Sequence, residues 1–249
     1  MTESMTQTAY EISGAARPGR WLITCDHATN HVPDWVNGGD LGLPESEMRR
    51  HIAYDIGAEG VALALGEALD SPVVASRFSR LVIDPNRGEQ DPTLLMKLYD
   101  GTVIPANARA DAAELTRRLQ RLHRPYHGAI ADLAARRPDP VICAIHSFTP
   151  QLKGRPPRPW DIGVLYAGDA RLAHPFIAAC RAAGWTTGDN QPYTGHLPGD
   201  SIDRHALAHR RPNVLIELRQ DLIETPAQQA AWAARLAPIL TATLESTGL

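Results

Sequence analysis

The sequence predicts an α/β fold, a single domain built on a mainly parallel or mixed sheet with helices on both faces. Three observations carry this expectation. Short apolar runs alternate with longer segments of helical periodicity, the pattern of crossover connections. Several runs stop abruptly at a polar residue, as in Cys25-Asp26-His27, Ala144-Ile145-His146-Ser147 and Ile216-Glu217. The 249 residues contain no Pro/Gly/Ser-rich linker and no internal repeat, so one domain over 1–249 is expected.

Residues 1–19 are expected to be a poorly ordered or peripheral segment. Trp21 to Cys25 reads as a short buried strand, followed by a polar loop, Asp26 to Pro33, in which His27, Thr29, Asn30 and His31 cluster. From Ser46 to Leu69 apolar residues recur at helical spacing (Ile52, Ile56, Val61, Leu65, Leu69), which predicts a helix. Pro72 to Ala75 and Arg80 to Ile83 read as two further strands, the second ending in Asp84-Pro85-Asn86-Arg87. Asp91 to Asn107 is Pro-punctuated and long for a plain loop, which favours a functional segment or a short helix around Leu94 to Tyr99.

Asp111 to Arg137 carries a long helical pattern that Pro125 kinks or divides. Pro140 to Ile145 gives the strongest buried-strand pattern and runs straight into His146. After the Pro- and Arg-rich loop Gln151 to Pro159 come a strand (Ile162 to Tyr166) and a helix (Ala170 to Ala183). A strand (Asn213 to Glu217) and a closing helix (Pro226 to Thr247) complete the chain.

A formal net charge of −3 argues against a general nucleic-acid binder, which shows a basic stripe or high pI. No apolar run approaches the roughly 20 residues that span a bilayer. Met1 to Gly19 lacks the basic start and apolar core of a signal peptide. Cys25, Cys143 and Cys180 are odd in number and widely spaced, which excludes a disulfide framework and a CxxC knuckle. A soluble protein of a reducing compartment, the cytoplasm, is expected. No GxGxxG, P-loop or GxSxG occurs, against nucleotide cofactors and the serine-hydrolase elbow.

Ligands of open α/β sheets collect at the carboxyl ends of the strands, where this reading puts His27, Arg87, His146 and Glu217. Neutral imidazole is a common zinc ligand, and His27 with His146 form a candidate pair. A third ligand is Asp55 or Asn30; a carboxylate binds a dication better than an amide, which favours Asp55. Asp26 beside His27 is a candidate to orient an imidazole. Glu217 is placed to take a proton from an activated water, or is a strand-end acid paired to Arg219. Arg80, Arg87 and Asn86 suit capture of a small acidic substrate, because the planar guanidinium matches a carboxylate with two hydrogen bonds. The turn-rich stretch Gly188 to Gly195, with Tyr193, lines a polar pocket or is a plain turn. His123 and His127 lack the glutamate of HExxH and read as helix-face residues.

Six segments in register resemble the N-formylglutamate amidohydrolase (deformylase) family. They are Cys25 to Asn30 with Pro33, His51 to Gly57, Phe78 to Arg87, His146 to Pro150, Asp189 to Tyr193, and Ile216 to Leu222. The resemblance implies a metal-dependent amide hydrolase that removes formate from N-formyl-L-glutamate, a step of histidine degradation. It also implies likeness in fold to zinc carboxypeptidases and aspartoacylase. Carried over, His27 and His146 are zinc ligands, Asn86 and Arg87 clamp a substrate carboxylate, and Glu217 is the general base. Asn30 stands where those relatives have Glu, which leaves Asp55 or Asn30 as third ligand. On this reading Arg80 steadies the oxyanion, Arg219 or Tyr193 holds the second carboxylate, and Ser147 belongs to the substrate site. A deacylase of another N-acyl amino acid, with the loop Lys153 to Arg158 shaping its pocket, and a non-catalytic binding protein are the alternatives.

Overall fold

The computed structural model describes residues 8–195 and 197–249. At its centre lie four parallel strands, in spatial order β3 (Val73–Ser76), β2 (Trp21–Cys25), β6 (Val141–Phe148) and β9 (Asn213–Arg219). β1 (Tyr10–Ser13) closes one edge antiparallel to β3, whereas β7 (Ile162–Leu165) runs antiparallel to β9 and carries β8 (Thr187–Asp189) parallel at the other edge. The sheet is therefore mixed. Residues 1–19 were expected to be peripheral or poorly ordered; within them Tyr10–Ser13 is a paired edge strand, and 1–7 lie outside the described residues.

Every residue of β2, β3 and β6 is buried, so helices must cover both faces. Alternate residues divide between two cores. Ile23, Cys25, Cys143 and Ile145 pack under α2 (Ala58–Ala68), α6 (Ala173–Ala182) and α8 (Pro226–Thr247). Leu22, Ile142 and Ala144 face α5 (Arg124–Ala134) on the other side. Thr225 and Gln228 form a reciprocal capping box that starts α8. All three cysteines are buried and unpaired. No helix among the described residues is long and apolar enough to cross a membrane.

Three segments depart from the sequence reading, and each departure builds the site. The helix expected from Ser46 to Leu69 is two helices, α1 (Glu45–Met48) and α2, separated by a turn that carries Asp55. The Asp55 amide donates to the His27 carbonyl at 2.9 Å, and Gly57 follows at φ +79°. A Cβ on Gly57 would lie 2.1 Å from the Ile223 carbonyl oxygen, so the tight entry into α2 requires glycine.

Arg80 to Ile83 forms a buried turn, not a strand. Its backbone needs no ladder: the Val82 amide donates to Ser79, Asn107 Nδ2 donates to the Leu81 carbonyl, and Arg118 donates to the Val82 carbonyl. Leu81, Val82 and Ile83 are fully buried, each worth roughly 1.5–3 kcal/mol of apolar burial, which explains the strand-like run. The expected helix at Leu94 to Tyr99 is replaced by a hairpin, β4 (Leu98–Tyr99) with β5 (Thr102–Val103), followed by α3 (Pro105–Ala108). Around Pro125 the long helix divides as expected, into α4 (Ala112–Arg118), a π turn over Leu119–His123, and α5.

Candidate metal centre

His27 lies two residues beyond the end of β2, and His146 stands within the neighbouring strand β6. The Asp55 turn folds over both. His27 Nδ1 lies 3.2 Å and His146 Nδ1 2.8 Å from the same oxygen, Asp55 Oδ2. The three side chains are buried and offer ligand atoms within 4.8 Å of one another. Each imidazole is backed by a carboxylate on its far nitrogen. His27 Nε2 donates to Asp84 Oδ1 at 2.7 Å, and His146 Nε2 faces Asp26 Oδ2 in a 3.2 Å ion-pair contact. Asp26 is itself held at Oδ1 by Tyr126 Oη (2.6 Å) and Ser201 Oγ (2.8 Å). Carboxylates placed behind imidazoles fix ring orientation and raise the basicity of the nitrogen that faces a metal.

The charge balance suits a dication. Burial would raise Asp26, Asp55 and Asp84, yet the facing histidines, and for Asp84 chiefly the Arg80 guanidinium, hold all three well below the usual carboxylate range. Arg80 bonds Asp55 Oδ1 at 3.3 Å and Asp84 Oδ2 at 3.0 Å. Three ionised carboxylates against one guanidinium leave two negative charges that a buried site must neutralise. His146, which burial would push down, is instead held up by Asp26 and Asp55, so a positive charge is favoured where its Nδ1 meets Asp55. Two imidazoles and a carboxylate are a ligand set that zinc and related metals accept.

Glu217 is the residue of β9 directly paired with His146. It lines the same cavity, of about 270 Å³. Burial, together with the Asp55 charge and against the pull of His146, lifts its carboxyl to about 7. Its Oε2 is buried without a hydrogen-bond partner among the described residues. Such a group can take and return a proton near neutrality.

Asn86 and Arg87 also line the cavity. The Ser201 amide donates to Asn86 Oδ1 at 3.2 Å, which fixes the amide with its NH2 as the end left for a ligand. Arg87 is tied through Nε to Thr93 (3.0 Å) and through one terminal nitrogen to the Asn86 carbonyl (2.7 Å). Tyr193 lines the cavity and accepts from Arg158, whose guanidinium stacks 4.8 Å above its ring. Ser147 lines it too, but its hydroxyl donates to the Ile56 carbonyl and its amide faces Asp55 Oδ2.

Two expected residues stand elsewhere. Arg219 points away from the cavity, to Asp221 (2.8 Å), the Trp160 carbonyl (3.1 Å) and Asp161 (3.5 Å). Arg219 ends β9, and none of its hydrogen bonds or ion pairs goes to Glu217. Asn30 donates to the Met48 carbonyl and braces the end of α1, so the third position of the buried group belongs to Asp55. Asp84 and Asp26 both serve as imidazole partners, Asp26 for His146 and not for its neighbour His27.

The sequence reading missed Asp200, His51 and Tyr99, which all line the cavity. Asp200 caps α7 (Ser201–His205) by accepting from Asp203, and burial raises it to about 6. The Asp-x-x-Asp spacing was a legible helix start. Tyr99 reaches the site on the β4–β5 hairpin, its ring 5.5 Å from the Arg80 guanidinium. The Asp100-Gly101 pair between Leu98-Tyr99 and Thr102-Val103, both residues at positive φ, was a legible two-residue hairpin turn.

The model of the family described as N-formylglutamate amidohydrolase matches residues 19–224. An N-formylglutamate deformylase of Pseudomonas putida is 26% identical over 207 residues, covering 74% of this chain and 73% of its own. Among solved structures, the gene product Atu2144 of Agrobacterium tumefaciens superposes with a TM-score of 0.92 at 35% identity, over 97% of both chains. The N-formylglutamate amidohydrolase of Ralstonia eutropha JMP134 shares the fold, with a TM-score of 0.69 at 21% identity over 97% of both chains.

Proposed function

The chain belongs to the N-formylglutamate amidohydrolase family, and we propose that it releases formate from N-formyl-L-glutamate at a divalent metal, zinc, held by His27, Asp55 and His146. One observation carries this reading. The buried His-Asp-His group, an unpaired acid titrating near neutrality, and an amide–guanidinium pair all open onto one cavity. Release of formate from this substrate is the last step of one route of histidine degradation, and we assign the chain to that step.

Bound at these ligands, a dication supplies Lewis acidity toward a water and the formyl oxygen. The chain's own groups do the rest. Asp84 and Asp26 hold the two imidazoles with Nδ1 inward. Glu217 takes a proton from the attacking water at Oε2 and returns it to the nitrogen as the C–N bond breaks, so that formate and glutamate leave. Arg80, fixed by two carboxylates, contributes a positive charge in the cavity wall for the oxyanion. The Asn86 amide and Arg87 grip a substrate carboxylate through charge-assisted hydrogen bonds.

A second reading has its own support. With Arg219 turned away, the cavity lining also includes the apolar Phe148, Leu165, Leu197 and Leu215, which suits an N-acyl amino acid with an uncharged side chain. Initial rates on N-formyl-L-glutamate, N-formyl-L-leucine and N-acetyl-L-glutamate separate the two. Highest kcat/KM on N-formyl-L-glutamate supports the first; a preference for N-formyl-L-leucine or the acetyl compound replaces it with the second. A metal-loaded protein that hydrolyses none of the three is a binding protein on this scaffold.

A further inference from the structure

Three histidines outside the cavity lie directly behind the Asn86–Arg87 loop: His123 at the end of the π turn, His127 on α5 and His205 on α7. All are buried. The rings of His127 and His205 stack at 5.1 Å with planes 23° apart, and His123 lies 4.4 Å from His127. His127 Nε2 is 2.9 Å from the Pro85 carbonyl oxygen, and His123 Nε2 is 3.0 Å from the Arg87 carbonyl oxygen.

A carbonyl only accepts, so both Nε2 atoms carry hydrogen. Nδ1 of a neutral His127 is then a lone pair, and it receives the Nε2 hydrogen of His205 at 2.8 Å. The tautomers follow without any net charge. Burial drives the same way, pushing His127 down to about 2 and His205 to about 4. The two captured carbonyls bracket Asn86. From the other side α7, which carries His205, also supplies the Ser201 amide that holds Asn86 Oδ1.

We infer that the neutral, hydrogen-bonded His205–His127 relay, with His123 packed against it and bonded separately to the Arg87 carbonyl, positions the Asn86–Arg87 grip for a substrate carboxylate. A loop anchored only by apolar contacts would leave the Pro85 and Arg87 carbonyls buried without partners and free to turn. Peptide rotation at either would swing the Asn86 amide away from the ligand. These are positioning residues: none of the three lines the cavity. The inference rests on the assignment of Asn86 and Arg87 as the grip.

The test is a double-mutant cycle with two readouts, steady-state hydrolysis of N-formyl-L-glutamate and calorimetric binding of L-glutamate. His127→Phe keeps ring size but neither bond, and His123→Phe releases the Arg87 carbonyl. Each is expected to raise KM and weaken L-glutamate binding by about 10-fold or more, because small misplacements of positioning groups are costly. The change in kcat should stay below about threefold, with metal content unchanged. His127→Gln, which can still donate to Pro85, should recover part of the loss. In an Asn86→Ala/Arg87→Ala background the His127→Phe effect should vanish.

Equal loss in both backgrounds, or a parallel fall in kcat and metal content, overturns the inference. Should His127→Phe not fold, His123→Phe carries the same cycle. If the wild type binds L-glutamate but does not hydrolyse N-formyl-L-glutamate, the proposed substrate is wrong, while the binding cycle still decides the relay. No L-glutamate binding by the wild type overturns the grip and the relay with it.

Discussion

Acid should weaken this protein through the buried histidines, and the loss can be worked out for His205. Its folded-state pKa is pushed from 6.5 to about 4, chiefly by burial, so the unfolded chain binds the proton more readily. The sign follows: the stability is complete above the unfolded pKa and is lost as pH falls from 6.5 toward 4. At about pH 5 some 1.5 units of that window have been crossed, which at 1.36 kcal/mol per unit is about 2 kcal/mol. Glu217 and Asp200, whose carboxyls are raised to about 7 and about 6, titrate in the opposite sense and stabilise the fold on acidification. Raw stability at two pH values therefore mixes opposing effects, and the comparison with His205→Gln isolates the histidine. Urea unfolding at about pH 7.5 and about pH 5 should show the wild type losing about 2 kcal/mol relative to the variant between the two conditions. An equal pH dependence of the two proteins would refute the neutral, buried His205.

Two further substitutions test the site. Glu217→Gln keeps shape but removes the proton acceptor; kcat should fall by roughly 10²–10⁴ with metal content and KM little changed, and a kcat close to wild type would remove Glu217 as the base. Arg219→Ala should leave KM for N-formyl-L-glutamate within about twofold, since its guanidinium is committed to Asp221, Asp161 and the Trp160 carbonyl. A large rise in KM would return Arg219 to the substrate site.

The parts of the fold legible in the sequence were those whose burial pattern matches their backbone. Trp21 to Cys25, Pro140 to Ile145 and Asn213 to Glu217 are apolar because both faces of a central strand are covered, and each is a strand with a polar residue at or beyond its apolar end. That termination is why His27, His146 and Glu217 stood out. Leu81 to Ile83 misled because the same apolarity arises in a buried turn whose Leu81 and Val82 carbonyls are satisfied by Asn107 and Arg118, residues 26 and 36 positions away. The break between α1 and α2 was hidden for a related reason: Ile52 and Ile56 keep helical spacing while the Asp55 turn is fixed by the distant His27 carbonyl and Ile223.

The charged residues divided in the same manner. Asp55 was preferred over Asn30 by ligand chemistry alone, and the fold brings Asp55 to both histidines. Arg219 ends β9 two residues beyond Glu217, but its guanidinium is taken up by Asp221, Asp161 and the Trp160 carbonyl, partners that strand alternation does not record. His123 and His127 looked like helix-face residues because their partners, the Pro85 and Arg87 carbonyls, are backbone atoms that no side-chain pattern records.

The central claim is that amide hydrolysis depends on one metal at His27, Asp55 and His146. Formate release from N-formyl-L-glutamate, measured as zinc is titrated into chelator-stripped protein, tests it most directly. The rate should rise from near zero and level off at one equivalent, and Asp55→Asn should show no such rise. A stripped protein that releases formate at the full rate, or an Asp55→Asn protein that titrates like the wild type, would contradict the account.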